Sequence, residues 1–407
     1  MGPQRLITVH SLFKIETSVV NMQQPLTKSN QVRTAVNNRR LVVHLLRQAG
    51  PLSRHQLAQQ TGLRHSSLTY ITRELIQRDV IRTQGKRDNP GMGKKQVLLE
   101  INPDLGWVVG IGVENDSASL VFLNAQGQVI DRDRMLLREP LELLPQAANN
   151  RITNWFARHG KPNGKLLGIG VGIPGIVNPN TGVILRSTRF GLENFNLANA
   201  MSEVFSVPVC VDNDSNFATQ AEARSGNAVD TEDFLYFLVN TSDQAQNYTI
   251  SSLGASLFLN GKLCRGAHFG AGEIDTLLDD KPYGIVEAKH LLTMADRQGD
   301  FPDELHGLAD HIADTLVAMT DLIDPCSVII GGNLGLANQK MLTHIQNRVN
   351  EKNVPIPMRH VNVLASAHMD HGVCLGAADV ALEQALIGNH SCMLDDDSLL
   401  AATVNES

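Results

Sequence analysis

The sequence predicts an α/β fold in two parts: a small basic unit of three helices and a two-stranded ribbon, then a larger body of alternating strands and helices. Three observations lead to this prediction. Residues 31–101 contain thirteen Lys and Arg but four Asp and Glu, although the whole chain carries a net charge of −7. The same residues show the apolar spacing of short helices. Beyond residue 101, short β-like runs alternate with helical stretches and glycine-containing loops.

The charge distribution and composition divide the chain into four segments. Residues 1–30 are predicted to be a flexible arm, residues 31–101 the basic unit, residues 102–388 the body, and residues 389–407 an acidic disordered tail. Because the basic unit stands before an acidic body, we expect the unit to attract a polyanion that the body repels.

The first two helices of the basic unit have clear local signals. A helix is predicted over residues 38–48, where the apolar residues fall on one stripe and a Gly-Pro pair follows. Ser53 and Gln56 are spaced as a capping box, in which each side chain satisfies the other residue's backbone N–H. This box should start a second helix that stops at Gly62.

The third helix is predicted over residues 66–78, with its leucines and isoleucines facing inward. Its outward face then carries polar and basic side chains that can donate hydrogen bonds to bases or phosphates. Two helices joined by a tight turn, the second with such a face, are typical of a helix-turn-helix whose second helix enters the major groove.

A two-stranded ribbon is predicted from residues 80–83 and 96–99, around a tip rich in Gly and Lys that should lie on phosphates like a wing. The predicted partner is therefore a double-stranded DNA operator, and a three-helix interaction domain is the alternative. The predicted DNA contacts are Arg54, Arg64, Ser66, Thr69, Tyr70, Arg73, Lys86, Arg87, Lys94 and Lys95.

The remaining composition excludes several classes of protein. The five cysteines are far apart and form no CxxC pair, which argues against a disulfide framework and a thiolate metal site. No run approaches the roughly 20 apolar residues of a membrane span. The histidines form no metal constellation. We therefore expect a cytoplasmic chain without a metal or cofactor and without a membrane partner.

The body is predicted to contain a strand hairpin at residues 107–123, several further strands and a long helix at residues 303–323. Loops at the ends of strands are the usual ligand contacts of open α/β sheets. Four loops have this position: residues 172–175, 212–214, 270–273 and 331–332.

Four ordered motifs behind a winged head resemble the ROK family of sugar kinases and sugar-responsive repressors: GIGVGIPGIVNPNTG, VDNDSNFATQAEA, LNGKLCRGAHFGAGEI and IIGGN. The resemblance extends from residue 31 to about residue 388. It implies a two-lobed, actin-like (ribonuclease H-like) body with a sugar cleft between the lobes. In the branch of the family that carries a head, it also implies a homodimeric or homotetrameric repressor whose DNA binding changes with a sugar or sugar phosphate.

The resemblance also implies ligand residues in the body. Asn213 and Asp214 match the family pair that hydrogen-bonds a hexose, Glu273 matches a sugar-binding Glu, and Glu287 falls where another Glu follows. Carboxylates suit sugars because charge-assisted hydrogen bonds to hydroxyls are about twice as strong as neutral ones. The alternatives are that Asp214 caps the next helix and that the two glutamates are surface acids.

The nucleotide side departs from the family's kinases. Glu114, Asn115 and Asp116 replace the kinases' first phosphate loop, and carboxylates there would oppose a nucleotide's charge. The second glycine loop has lost two of its three glycines, and Thr276 replaces the zinc-ligating His. We therefore predict a regulator with a catalytically dead, sugar-sensing body and no catalytic residues. The alternatives are a regulator controlled by a protein partner instead of a sugar and, less favoured, an active sugar kinase.

Overall fold

The computed structural model is a mixed α/β fold and describes residues 28–87, 96–114, 116–244, 247–274, 286–287, 303–332, 339–357 and 359–388. The predicted tail and most of the predicted arm lie outside these residues. The ribbon tip with Lys94 and Lys95, and the positions of Asn115 and Thr276, lie outside them as well.

The head, described over residues 28–87 and 96–101, contains three helices and a three-stranded sheet in the order β1-β3-β2. Helix α1 begins ten residues before its predicted start and includes the last three residues of the predicted arm, because residues 28–37 contain no Gly or Pro to end it. The elements are α1 (Lys28–Ala49), β1 (Leu52–Ser53), α2 (Arg54–Thr61), α3 (His65–Gln77), β2 (Ile81–Arg87) and β3 (Gln96–Ile101).

The predicted capping box is confirmed. The Ser53 hydroxyl accepts the Gln56 backbone N–H at 3.2 Å, and the Gln56 side chain accepts the Ser53 N–H at 2.9 Å. Gly62 ends α2 in the left-handed conformation, with φ +69°. Leu57, Leu68 and Leu75 are fully buried, so α2 and α3 share one apolar core. The local signals therefore set where α2 begins and ends, and the shared core holds α2 against α3.

The first sheet of the body has the strand order β11-β7-β4-β5-β6. The predicted hairpin forms its centre, and the neighbouring β7 lies parallel to β4. A small antiparallel sheet, β8 to β10, follows in the chain. The elements are β4 (Gly106–Val113), β5 (Ser117–Asn124), β6 (Val129–Leu136), α4 (Leu144–His159), β7 (Lys165–Ile173), β8 (Ile176–Asn178), β9 (Val183–Ser187), β10 (Leu192–Asn196), α5 (Leu197–Phe205) and β11 (Val209–Asn213).

The second sheet has the order β14-β13-β12-β16-β17, with β15 paired to β13. The long helix predicted at residues 303–323 is present with these bounds. The elements are α6 (Asp214–Ser225), β12 (Phe234–Gln244), β13 (Asn247–Leu259), β14 (Lys262–Cys264), β15 (Val286–Glu287), α7 (Asp303–Ile323), β16 (Ser327–Gly331), α8 (Gln339–Lys352), β17 (Asn362–Ala365) and α9 (Gly372–Ile387).

Glycines of the first sheet lie directly under α9. A Cβ added at Gly110 would lie 1.8 Å from the carbonyl oxygen of Cys374, and one at Gly170 would lie 2.0 Å from that of Ala377. The glycines of these strands therefore allow the helix backbone to approach the sheet. Helix α6 packs beside α9 and contributes Phe217 to the apolar core of that helix and Ala218 to the core around β12.

Candidate functional site

The outward face of α3 is exposed as predicted. Ser66, Thr69, Tyr70 and Arg73 are all exposed, and 60% of the Tyr70 surface is open to solvent. The Arg73 guanidinium lies 6.0 Å from the centroid of the Tyr70 ring, within the range of a cation–π contact. This face therefore presents an aromatic ring with an adjacent cation, a pair that can contact a base and a phosphate.

The other predicted DNA contacts differ in position. Arg64 is exposed just before α3, whereas Arg54 is half-buried and donates its Nε–H to the buried Thr72 hydroxyl at 2.8 Å. Arg54 thus links α2 to α3. Lys86 and Arg87 lie in β2, on the ribbon that follows α3.

Two histidines beside this face were missed by the sequence reasoning. The rings of His55 and His65 lie 6.0 Å apart with an angle of 7° between their planes. Both residues are exposed and follow an Arg at the start of a helix. The repeated Arg-His pair at the starts of α2 and α3 was the signal that could have identified them.

Three of the four predicted loops meet at the start of α6. Asn213 is the N-cap of this helix, and its side-chain oxygen accepts the N–H groups of Ser215 and Asn216. Its Nδ2 donates to the Gly175 carbonyl at 3.1 Å and lies 3.5 Å from Glu273 Oε1. One asparagine therefore joins the loops at residues 172–175, 212–214 and 270–273.

Asp214 is buried at the first position of α6, with 6% of its surface exposed. Its carboxylate accepts the Ser215 N–H at 2.8 Å. The N-cap role considered for Asp214 is carried by Asn213 instead, because β11 continues to Asn213 before the helix begins. A buried carboxylate at a helix N-terminus is favourably placed with respect to the helix dipole and is well suited to accept hydroxyl hydrogen bonds.

An ion pair between Asp212 and Arg265 also supports this loop junction, and nothing in the sequence predicted that pairing. Asp212 is buried, and its Oδ2 lies 2.6 Å from an Nη of Arg265, a residue 53 positions later. Its Oδ1 accepts from the Asn216 amide, whose oxygen accepts the Ser256 hydroxyl. The network ties α6 to β13 of the second sheet.

The two predicted glutamates are not brought together. Glu273 is exposed beside Asn213. The residue before it, Gly272, has φ +93° and lies against β13, where an added Cβ would be 1.8 Å from the Ala255 carbonyl oxygen. Glu287 pairs through its backbone with Asn247, eight residues along β13 from Ala255, roughly 25 Å at strand spacing.

Glu114 is held by side chains of the neighbouring strands. Glu114 accepts hydrogen bonds from the hydroxyls of Ser117 and Ser119 at 3.2 and 3.1 Å and pairs with Arg134 at 2.7 Å. This carboxylate therefore stabilises the β4–β5 hairpin. At the fourth predicted loop, a Cβ on Gly331 would overlap the Tyr236 hydroxyl, so the glycine has a structural role there.

No three His, Cys, Asp or Glu among the described residues are grouped so that they could hold a metal ion. Of the four cysteines described, Cys264 and Cys326 are exposed, and Cys210 and Cys374 are buried. Burial raises the pKa of the Cys210 and Cys374 thiols to about 12, so neither ionises near neutral pH. None of the helices within the described ranges has the length and apolar character needed to cross a membrane.

Comparison with known proteins connects this geometry to a family. Residues 108–281 match the ROK family. Over 239 residues the chain is 27% identical to the xylose repressor of Caldicellulosiruptor bescii, a match that covers 58% of this chain and only 57% of that relative's length. Over 370 residues it is 23% identical to the DNA-binding transcriptional dual regulator NagC of Escherichia coli K12, covering 84% of this chain and 91% of that protein.

A crystal structure shows the same fold. It is that of a ROK family transcriptional regulator described as a homologue of the E. coli Mlc protein, with a TM-score of 0.69 and 20% identity. The match covers 89% of this chain and 98% of that one.

Proposed function

Because this chain carries a ROK family domain at residues 108–281, we propose that it is a DNA-binding transcriptional repressor of carbohydrate metabolism genes. In this proposal, residues 31–101 are a winged helix-turn-helix that binds operator DNA in the cytoplasm. Residues 102–388 form a two-lobed body that senses a sugar or sugar phosphate and has no kinase activity. The chain works as a homodimer or homotetramer, since two heads about 34 Å apart reach successive major grooves.

The exposed face of α3 is the observation that carries the DNA-binding role. Its polar and basic side chains point away from a core formed by Leu68 and Leu75, and the β2–β3 ribbon follows directly. A solvent-exposed helix of this composition, held by a capped partner helix, fits the major groove. The two relatives named above are themselves described as a repressor and as a DNA-binding regulator.

The DNA-binding role is tested with Arg73→Ala. Loss of a base contact should weaken binding to a selected duplex by about 10- to 100-fold, which corresponds to roughly 1–3 kcal/mol. Binding to a random duplex should change little. Arg348→Ala is the control because it also removes a guanidinium, but from the distant helix α8. Equal binding by both variants to the selected duplex would contradict a role for this face.

The sugar-sensing role rests on the junction at the start of α6. Buried Asp214, the N-cap Asn213 and exposed Glu273 together offer carboxylate and amide groups, the types that recognise sugar hydroxyls. A sugar that binds only the folded chain at about 100 times its dissociation constant adds roughly 2.7 kcal/mol, which is visible as a higher melting temperature.

We therefore propose melting curves against free and phosphorylated hexoses, pentoses and amino sugars. Asp214→Asn should abolish the shift, and Asp116→Asn, an exposed acid on the β4–β5 turn, should retain it. A chain that no sugar stabilises would contradict sugar sensing.

The absence of kinase activity is proposed from Glu114. Its carboxylate is held by two hydroxyls and a guanidinium at the place where a kinase needs backbone amides facing a phosphate. We expect no ATP turnover with any sugar of the panel. If the wild-type chain phosphorylated a sugar and Asp214→Asn abolished that reaction, the body would be an active kinase.

A further inference from the structure

Two arginines from different parts of the molecule share one carboxylate of α9. Arg47, on α1 of the head, places Nη2 at 3.0 Å from Asp379 Oδ1 and at 2.8 Å from the Asp379 carbonyl oxygen. Arg224, near the end of α6, places Nε at 2.6 Å from Asp379 Oδ2. Glu383, one turn later on α9, contacts both guanidinium groups at 3.1 and 3.5 Å. The head and α6 are thus joined through two carboxylates of α9, with Asp379 making the shorter contacts.

This cluster lies in a largely buried region, where charge positions are strongly coupled. Only 1% of the Arg47 side chain and 12% of the Asp379 side chain are exposed. Burial lowers the pKa of Arg47, Arg224 lowers it further, and Asp379 raises it. Two cations that repel each other are held by a shared carboxylate, so displacement of one guanidinium changes the position that is most favourable for the other.

The opposite end of α6 is the candidate sugar site. Asn213 caps the helix and Asp214 begins it, whereas Arg224 lies eleven residues further on, roughly 16 Å along the axis. Most of the helix is buried. A Cβ on Gly376 would lie 1.9 Å from the Phe217 carbonyl oxygen, so α6 and α9 are in backbone contact. A shift at the start of α6 is therefore transmitted to its end rather than absorbed by loose packing.

We propose that Arg224 is a positioning residue that couples the sugar site to the head, acting through Asp379 on Arg47. This inference rests on the proposed function, since it requires a sugar that binds at the start of α6 and DNA that binds the head. Such coupling is reciprocal: if a sugar at the start of α6 changes DNA binding, DNA bound to the head changes the affinity for that sugar by the same free energy. If the coupling acts through a shift of α6, DNA alone should also change the start of this helix.

The test is amide hydrogen exchange of Ser215 and Asn216, whose N–H groups are bonded to the Asn213 side chain. Exchange is measured with and without a saturating duplex, selected from a random pool by the wild-type chain. We expect DNA to change exchange at these two amides severalfold in the wild type and in the control Arg348→Gln. Arg224→Gln should bind the same duplex but lose the effect, and Arg224→Lys, which keeps the charge, should recover part of it.

A purely structural role of Arg224 would lower the melting temperature without removing the response of the two amides. An unchanged response in Arg224→Gln, or no response in a wild-type chain that binds DNA, would overturn the coupling and leave the proposed function standing. A wild-type chain that selects no duplex would overturn the proposed function, and the coupling with it.

Discussion

Replacing Arg47 with Met should weaken the attachment of the head to the body. Methionine keeps much of the apolar stem of the side chain, so the substitution removes mainly the charge and the hydrogen bonds to Asp379 and Glu383. Removing one partner of a buried ion pair costs about 3–5 kcal/mol, because the other charge stays buried and unpaired. In Arg47→Met, Asp379 still pairs with Arg224, and the Glu383 side chain is 42% exposed to water. We therefore expect about 3 kcal/mol, the low end of that range.

The two tryptophans make the result easy to assign. Trp107 and Trp155 both belong to the first sheet of the body and its helix α4, so their fluorescence reports unfolding of the body. Circular dichroism also includes the helices of the head. In urea, the two signals should coincide in the wild type and separate in Arg47→Met, with part of the helical signal lost first.

Arg348→Met provides the matched control. It removes a guanidinium that also contacts two carboxylates, those of Asp310 and Asp314, but on an exposed surface where ion pairs contribute little. Its two signals should remain coincident. If Arg47→Met had the same midpoint as Arg348→Met and kept coincident transitions, Arg47 would not hold the head to the body.

Three further predictions concern stability. Burial lowers the pKa of His44 below 6.5, against an opposing effect of Glu383. The unfolded chain therefore binds a proton that the folded chain does not, and the free energy of unfolding should fall as the pH drops below 6.5. His44→Gln should reduce that fall in urea titrations at several pH values. Gly376→Ala should lower the free energy of unfolding by about 1–3 kcal/mol, because the added methyl group overpacks against α6. Gly307→Ala should raise it by about 0.4–1 kcal/mol, because the added methyl group on α7 meets open space. Both changes are measured by urea denaturation. Ser53→Ala should cost about 1 kcal/mol by urea denaturation through loss of the α2 cap.

The head could be predicted well because its signals are local. A capping box spans four residues, and a left-handed glycine ends a helix by itself, so Ser53, Gln56 and Gly62 were sufficient to place α2. The start of α1 was predicted ten residues too late because the apolar stripe begins after the helix does. Once the packed part of α1 is helical, each residue added to it gains a backbone hydrogen bond, so the helix can extend without an apolar face to mark it.

The body was predicted less completely for two physical reasons. Helix α9 is built largely of small and apolar residues on all sides because it is buried, and it therefore lacks the periodicity that identifies a surface helix. Ion pairs such as Asp212–Arg265 join residues far apart in the chain, and only the fold brings them together. Three of the four motif loops did lie at strand ends, whereas the loop at residues 270–273 follows β14 without adjoining it. That loop nevertheless met the loops at residues 172–175 and 212–214 at Asn213.

The position of α9 in the chain has a consequence for synthesis. The head is made first, yet it is held by residues near the opposite end: Arg47 binds α9, and Arg40 donates to the Gly388 carbonyl at 3.0 Å. At about 5–20 residues per second, the ribosome delivers α9 roughly 15–60 s after the head. During that interval the complete basic head is present on the nascent chain without α9, the helix that holds it in the finished protein.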